Sequence, residues 1–262
     1  MTEIYSTPQH GSAAPPHFRQ GGRAALRDAL AASRSAMLDL FARYRAALGD
    51  DLRVPERGDL NPPLWELGHI GWFEEFWCAR NPERARGLAA SPDTPRPPSL
   101  RAGADALYNS SQVAHAARWH LPLPDAEETL DYLAAVREGT LALLERMPDD
   151  ELYFVQLAIL HEDMHREAWV YMAQTLALAL DWPAPAALPA DAGEIAVTGG
   201  DWQLGSSEPG FAFDNELPAR PVRLAPFSID AAPLSWARYL PFIAADGYGR
   251  PEFWSENGWR WC

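Results

Sequence analysis

Residues 157–169 read Leu157-Ala-Ile-Leu-His-Glu-Asp-Met-His-Arg-Glu-Ala-Trp169. Leu157, Leu160, Met164, Ala168 and, further on, Met172 recur at intervals of three and four, the period of one helical face. The stretch therefore predicts an amphipathic helix whose apolar stripe turns into a core. His161 and His165 lie one turn apart on the same face and fall within that stripe. Glu162, Asp163, Arg166 and Glu167 fall mostly outside it, with Glu162 and Arg166 spaced for an exposed ion pair. Two imidazoles turned inward need partners, because unpaired buried polar groups cost free energy; a shared metal ion would satisfy both.

The surroundings of this helix narrow the class of protein. All 22 basic residues of the 262 are Arg, and the formal charge is −14, a surface that repels phosphates and disfavours nucleic acid as a partner. Cys78 and Cys262 are the only cysteines, too few for a disulfide framework. No run of about 20 apolar residues occurs, and Met1-Thr-Glu-Ile-Tyr5 lacks the basic and apolar regions of a signal peptide. The expectation is no membrane span and a cytoplasmic setting.

Residues 1–20 carry Pro, Gly, Ser and His without periodicity and predict a disordered lead-in. Helical patterns follow from about 22 to 48, from Asn61-Pro62-Pro63 onward, from 104 to 119, from 126 to 146 and from 149 to 180. Asn61 is the expected N-cap of the second helix, with proline tolerated in its first turn. Proline punctuates 81–104 as a loop, and 182–192 (Trp-Pro-Ala-Pro-Ala-Ala-Leu-Pro-Ala-Asp-Ala) has the composition of a linker. Beyond it, 195–205 and 219–229 resemble short strands broken by Gly and Pro. The expected fold class is α+β: a helical bundle over 21–181, then a mixed, turn-rich domain over 193–262. Roughly 70 residues is short for an independent domain of that kind, so the second domain is expected to be partial.

A third histidine belongs with the pair. His69, in Leu64-Trp-Glu-Leu-Gly-His-Ile-Gly-Trp-Phe73, shares a helical face with Trp65, Trp72, Phe73 and Phe76 and so points inward. Alone it would read as a satisfied core histidine. Together, His69, His161 and His165 predict a facial three-nitrogen metal site between bundle helices, with positions open for substrate and oxygen. Imidazole accommodates Zn, Fe, Cu or Ni, so ligand type does not name the metal. His10 and His17 fall in the lead-in, and His115 and His120 flank Trp119, where structural or surface roles are expected. Cys78 follows Trp77 with no local basic cluster and reads as a small apolar filler.

His161-Glu-Asp-Met-His165 also matches H-E-x-x-H, in which the glutamate of a zinc protease acts as general base. No histidine follows His165, and Glu194, Glu208 and Glu216 fall in the linker-to-strand region, where no third-ligand helix is evident. The protease reading is the weaker one.

Several segments resemble the ergothioneine-pathway sulfoxide synthases, non-haem iron enzymes that join a DinB-like bundle to a formylglycine-generating-enzyme-like domain of C-type-lectin type. The elements are Leu67-Gly-His-Ile-Gly-Trp-Phe73, His161 with His165 and Glu167, Leu107-Tyr-Asn-Ser-Ser111, Gly199-Gly-Asp-Trp-Gln-Leu-Gly205 and Phe211-Ala-Phe-Asp-Asn-Glu216. The resemblance spans roughly 25–262 and implies a four-helix DinB-like bundle with Fe(II) on His69, His161 and His165. It also implies hercynine, a thiol and O2 as substrates. Within the family, Leu60–Phe73 looks most like the branch that joins hercynine to a selenosugar. Ser111 with Gln-Val-Ala-His115 stands where an aromatic stretch is usual, and Arg220 where histidine is common. The family's catalytic tyrosine and much of its hercynine pocket come later than Cys262, so no catalytic or substrate-binding residue is assigned. By that resemblance, residues 1–262 alone would bind iron with little turnover. Two other classes stay open: a DinB-like thiol transferase with zinc or nickel on the same histidines, and a binding protein whose histidines are merely buried.

Overall fold

In the computed structural model, residues 18–180, 193–207 and 210–262 are described; the lead-in up to 17, with His10 and His17, the linker over 182–192 and Glu208 lie outside them. The chain forms two compact units, one drawn from 1–181 and 208–215, the other from 182–207 and 216–262.

The first unit is a bundle of four long helices, α1 (Arg23–Leu48), α2 (Pro63–Trp77), α4 (Ala126–Leu144) and α5 (Tyr153–Thr175), with a short α3 (Ala104–Tyr108). α4 starts at a capping box: Asp125 accepts from the Glu128 amide while Glu128 accepts from the Asp125 amide. α2 starts with Pro63 in its first turn, as expected. Asn61 is not its N-cap; Pro62 occupies that position, and the Asn61 amide donates instead to Glu66 Oε1 at 2.6 Å. One core cluster joins Met37, Leu40, Phe41, Tyr44, Trp65, Leu67, Ile70, Leu133, Val136 and Trp169. A second, around Leu26, Leu30, Leu144, Val155 and Ile159, encloses Cys78 as the predicted filler.

The continuous helix expected over 104–119 is not formed. α3 ends at Tyr108, the Asn109 side chain accepts from the Ser111 amide, and a 3-10 turn covers His115–His120. Helical periodicity loses here to a local Asx turn and to tryptophan and histidine groups that draw on the carbonyls of 107 and 108. α5 is likewise shorter than expected, with a separate 3-10 turn over Asp149–Glu151 before it.

The second unit holds four short strands, β1 (Glu194–Val197), β2 (Gly200–Leu204), β3 (Arg220–Leu224) and β4 (Phe227–Asp230), then α6 (Trp236–Ala244) and α7 (Glu256–Trp261). β1 pairs antiparallel with β4 and β2 with β3. The pairs Val197↔Phe227 and Gly200↔Leu224 keep one register, so the two two-stranded sheets follow one another along a single antiparallel hairpin. The ladder is interrupted where Gly199 meets Ala225–Pro226: a Cβ on Gly199 would lie 2.6 Å from the Leu224 carbonyl oxygen, and Pro226 has no N–H to offer. Phe211 and Ala212, from the stretch that resembles the formylglycine-enzyme opening, are buried in the first unit, where Phe211 donates its amide to the Arg19 carbonyl. No helix among the described residues is long and apolar enough to cross a membrane.

Candidate metal centre

α2 is enclosed on nearly every side. Trp65, Leu67, Ile70 and Trp72 are buried, and so are the carboxylates Glu66, Glu74 and Glu75. Gly68 lets the Tyr108 ring lie directly on the helix, since a methyl group there would overlap it. This contact brings the Tyr108 carbonyl to His69, whose Nδ1 donates to it at 2.8 Å. With Nδ1–H committed, the Nε2 lone pair of His69 is left free.

On α5 the face is rotated from its sequence-based expectation. Val155, Ala158, Ile159, Glu162, Trp169 and Met172 are buried, whereas Met164 is 48% exposed. Glu162 is not half of an exposed pair: it is 1% exposed and ion-paired with Arg34 and Arg137, while Arg166 turns to Asp163. The two largest apolar side chains nearby, Phe154 and Trp169, lie on the buried face instead. His161 and His165 end half-buried at the edge of this stripe, facing α2.

There the three histidines meet. One nitrogen from each of His69, His161 and His165 lies within 4.8 Å of the others, and the Nε2 atoms of His161 and His165 are 3.1 Å apart. Two nitrogens each about 2.1 Å from one ion, at angles near those of tetrahedral or octahedral ligands, are separated by roughly 3 Å, so the His161–His165 separation fits one shared metal, with His69 close by. The orientation fits as well. His165 Nδ1 bonds the Glu66 carboxylate and His69 Nδ1 the Tyr108 carbonyl, the outer contacts that commonly fix metal-ligating imidazoles. The His161 ring stacks on Phe73 at 3.6 Å, and the His69 ring on Trp65 at 4.8 Å. Arg118 covers the far side of Trp65 at 3.8 Å and donates to Asn61.

At His69 and His161 the electrostatics favour the neutral imidazole, the form that binds metal. Burial, reinforced by the nearby His165, pushes the His69 pKa down to about 4, and burial holds His161 well below its ordinary value. For Glu66, burial pushes the pKa up, but the hydrogen bond and charge of His165 outweigh it and keep the carboxyl ionised.

The remaining motif residues fall elsewhere. His115 Nε2 bonds the Leu60 carbonyl, and His120 pairs with Glu56 at the surface. Glu167 is exposed. Glu162, the general base of the H-E-x-x-H reading, has both oxygens taken by guanidinium groups, which removes it from protease chemistry. Glu66 was not singled out by any motif. Its signal was present, though: three carboxylates in a helix apolar on every side have to be buried and paired.

The sequence profile of the DinB superfamily matches residues 29–174, the bundle that carries all three histidines. The chain is 36% identical over 212 residues to the Hercynine oxygenase of Mycolicibacterium smegmatis, a match covering 76% of this chain and 46% of that protein. To the Hercynine oxygenase of Mycolicibacterium thermoresistibile it is 32% identical over 226 residues, covering 81% and 48%. It is also 40% identical over 57 residues to the Formylglycine-generating enzyme of Thermomonospora curvata, 21% of this chain and 19% of that one. The chain thus spans about half the length of the hercynine oxygenases it matches. With the profile covering more than half of its residues, the chain belongs to the DinB superfamily.

Proposed function

We propose that His69, His161 and His165 hold Fe(II) and that the protein acts on hercynine with O2, joining its imidazole to a selenosugar to form a carbon–selenium bond. This is an oxidoreductase reaction of the kind that leads to selenoneine. The observation that carries the metal-centre reading is the convergence of three imidazole nitrogens within 4.8 Å, two of them oriented by Glu66 and the Tyr108 carbonyl. The similarity to two hercynine oxygenases supports hercynine and oxygen as substrates. The wording of Leu60–Phe73, and Ser111 in place of an aromatic residue, favour the selenosugar.

Bound to these residues, Fe(II) would supply the reactivity with O2 that neither organic substrate has, and would gather the reactants in one place. The chain's own residues do the rest. The Tyr108 carbonyl and Glu66 hold two rings with Nε2 inward. Phe73 and Trp65 stack on the His161 and His69 rings and hold their planes. A second reading keeps the centre and hercynine but takes cysteine or γ-glutamylcysteine as the donor, as the wider family resemblance implies. A third, favoured by the DinB profile alone, is a thiol transferase with zinc on the same histidines.

Anaerobic purification followed by metal analysis separates the first two readings from the third. Stoichiometric iron, lost in His69→Ala, His161→Ala and His165→Ala, is expected; stoichiometric zinc would favour the transferase, and no metal a binding module. Mass spectrometry after hercynine and O2 are supplied with a selenosugar, cysteine or γ-glutamylcysteine separates the donors. A selenium-containing product from the selenosugar alone is expected, and a sulfur-containing product would transfer the assignment to the thiol.

A further inference from the structure

The bundle contains a second polar cluster, outside the histidine site, made of one residue from each long helix: Arg34 (α1), Glu74 (α2), Arg137 (α4) and Glu162 (α5). All four are buried, between 1% and 8% exposed, and their formal charges cancel. Arg34 donates from Nε to Glu162 at 2.7 Å and from Nη2 to Glu74 at 3.0 Å. Arg137 donates to Glu74 from Nε and Nη2, both at 2.9 Å, and from Nη2 to Glu162 at 2.6 Å. Their remaining Nη1 groups donate to the Leu133 and Leu30 carbonyls. Without the guanidinium groups, two buried carboxylates on α2 and α5 would face each other and repel.

Those two helices are the ones that carry the histidines. Glu162 follows His161 directly, and Glu74 lies five residues after His69. A carboxylate gripped by two forked guanidinium groups accepts only at one rotation and height of its helix. Turning α5 by one residue, about 100°, would take Glu162 out of that grip and His161 out of the site. Leu, Val and Ile contacts are non-directional and impose no such condition.

We infer that Arg34, Glu74, Arg137 and Glu162 are positioning residues that set the rotation of α5 against α2, and so bring His161 and His165 to His69. The inference rests on the metal-centre reading given above. A buried ion network contributes little net stability compared with apolar side chains of similar volume, whereas its directional bonds select one arrangement. The cluster thus serves site geometry more than folding.

The test replaces the whole cluster in the full chain, Arg34→Met, Glu74→Leu, Arg137→Met and Glu162→Leu together, and reads two quantities. One is Co(II) affinity, followed by its visible absorption. The other needs no metal: the Phe73 ring stacked on His161 is expected to shield its ring protons and move them upfield in the NMR spectrum of His-labelled wild-type apoprotein. The variant is expected to fold and melt cooperatively, yet to bind Co(II) about tenfold or more weakly and to lose the upfield shift. A folded variant with both readings unchanged overturns the inference, because the cluster would then be structural only. If wild type itself binds no Co(II), the metal-centre reading fails while the His161 shift still decides the positioning role. Should the quadruple variant not fold, Glu162→Gln, isosteric with the native side chain, carries the same two readings.

Discussion

Glu66 and His165 are joined across the α2–α5 contact, carboxylate Oε2 to ring Nδ1, with Glu66 1% exposed and its other oxygen held by Asn61. The pair links the two helices that supply histidines, and it fixes which His165 nitrogen faces His161. Glu66→Ala is therefore expected to weaken metal binding about 10–100-fold with the helical fold retained. Glu66→Gln, which keeps an acceptor, is expected to lose less. Competition titration against a chromophoric chelator measures both, and equal affinity in all three proteins would remove Glu66 from the centre.

Gly68 and Gly139 make a matched pair for glycine-to-alanine exchange. A methyl at Gly68 overlaps the Tyr108 ring, whereas one at Gly139, within α4, meets nothing within 4 Å. Gly68→Ala is expected to destabilise by about 1–3 kcal/mol through overpacking. It should also weaken metal binding, because Tyr108 carries the carbonyl that orients His69. Gly139→Ala is expected to stabilise by about 0.5–1 kcal/mol through helix propensity. Denaturant midpoints by circular dichroism give both signs, and a neutral Gly68→Ala would show that Tyr108 yields freely.

Acid should act through Glu74. Burial pushes its pKa up, but the charges of Arg137 and Arg34 and the hydrogen bond from Arg137 outweigh burial and bring it below the ordinary 4.5. A carboxyl held lower in the folded than in the unfolded chain contributes stability that is complete above pH about 4.5 and lost as pH falls through the folded value. Urea midpoints measured from pH 7 downward should stay level near neutrality with respect to this group and decline below about 4.5. A profile that stays flat to pH 3 would contradict the assignment.

The two cysteines should differ sharply in reactivity. Cys78 is fully buried, its thiol bonds the Phe154 carbonyl, and burial pushes its pKa up; Cys262 is exposed. A thiol reagent such as Ellman's should titrate one group per native chain at once and the second only on denaturation. Two fast groups would place Cys78 in a region that opens readily.

The two readings of α5 show where sequence periodicity stops. Apolar residues at intervals of three and four do mark a helix, and His161 and His165 do share one of its faces. The pattern cannot say which of several apolar faces wins. Phe154 and Trp169 take the core, Met164 is left in solvent, and Glu162 turns inward to two arginines more than 20 residues away in sequence. Ion pairs between distant segments leave no local period to read. The helix expected over 104–119 fails for a related reason: the carbonyls of Leu107 and Tyr108 are claimed by Trp65 and His69, contacts that exist only once α2 is in place.

Local chemistry was legible from the residues alone: the proline-led start of α2, the change to strand patterns after 193 and the inward aim of His69. Each of these depends on neighbours within a few positions, where propensity and periodicity act. Tertiary structure alone decided how those pieces became a site. It placed His69 within reach of His161 and His165, gave Glu66 and the Tyr108 carbonyl their orienting roles, and closed Arg34, Glu74, Arg137 and Glu162 into one cluster. The physical reason is that buried polar groups must find partners wherever packing puts them, and packing is set by the whole bundle rather than by any one helix.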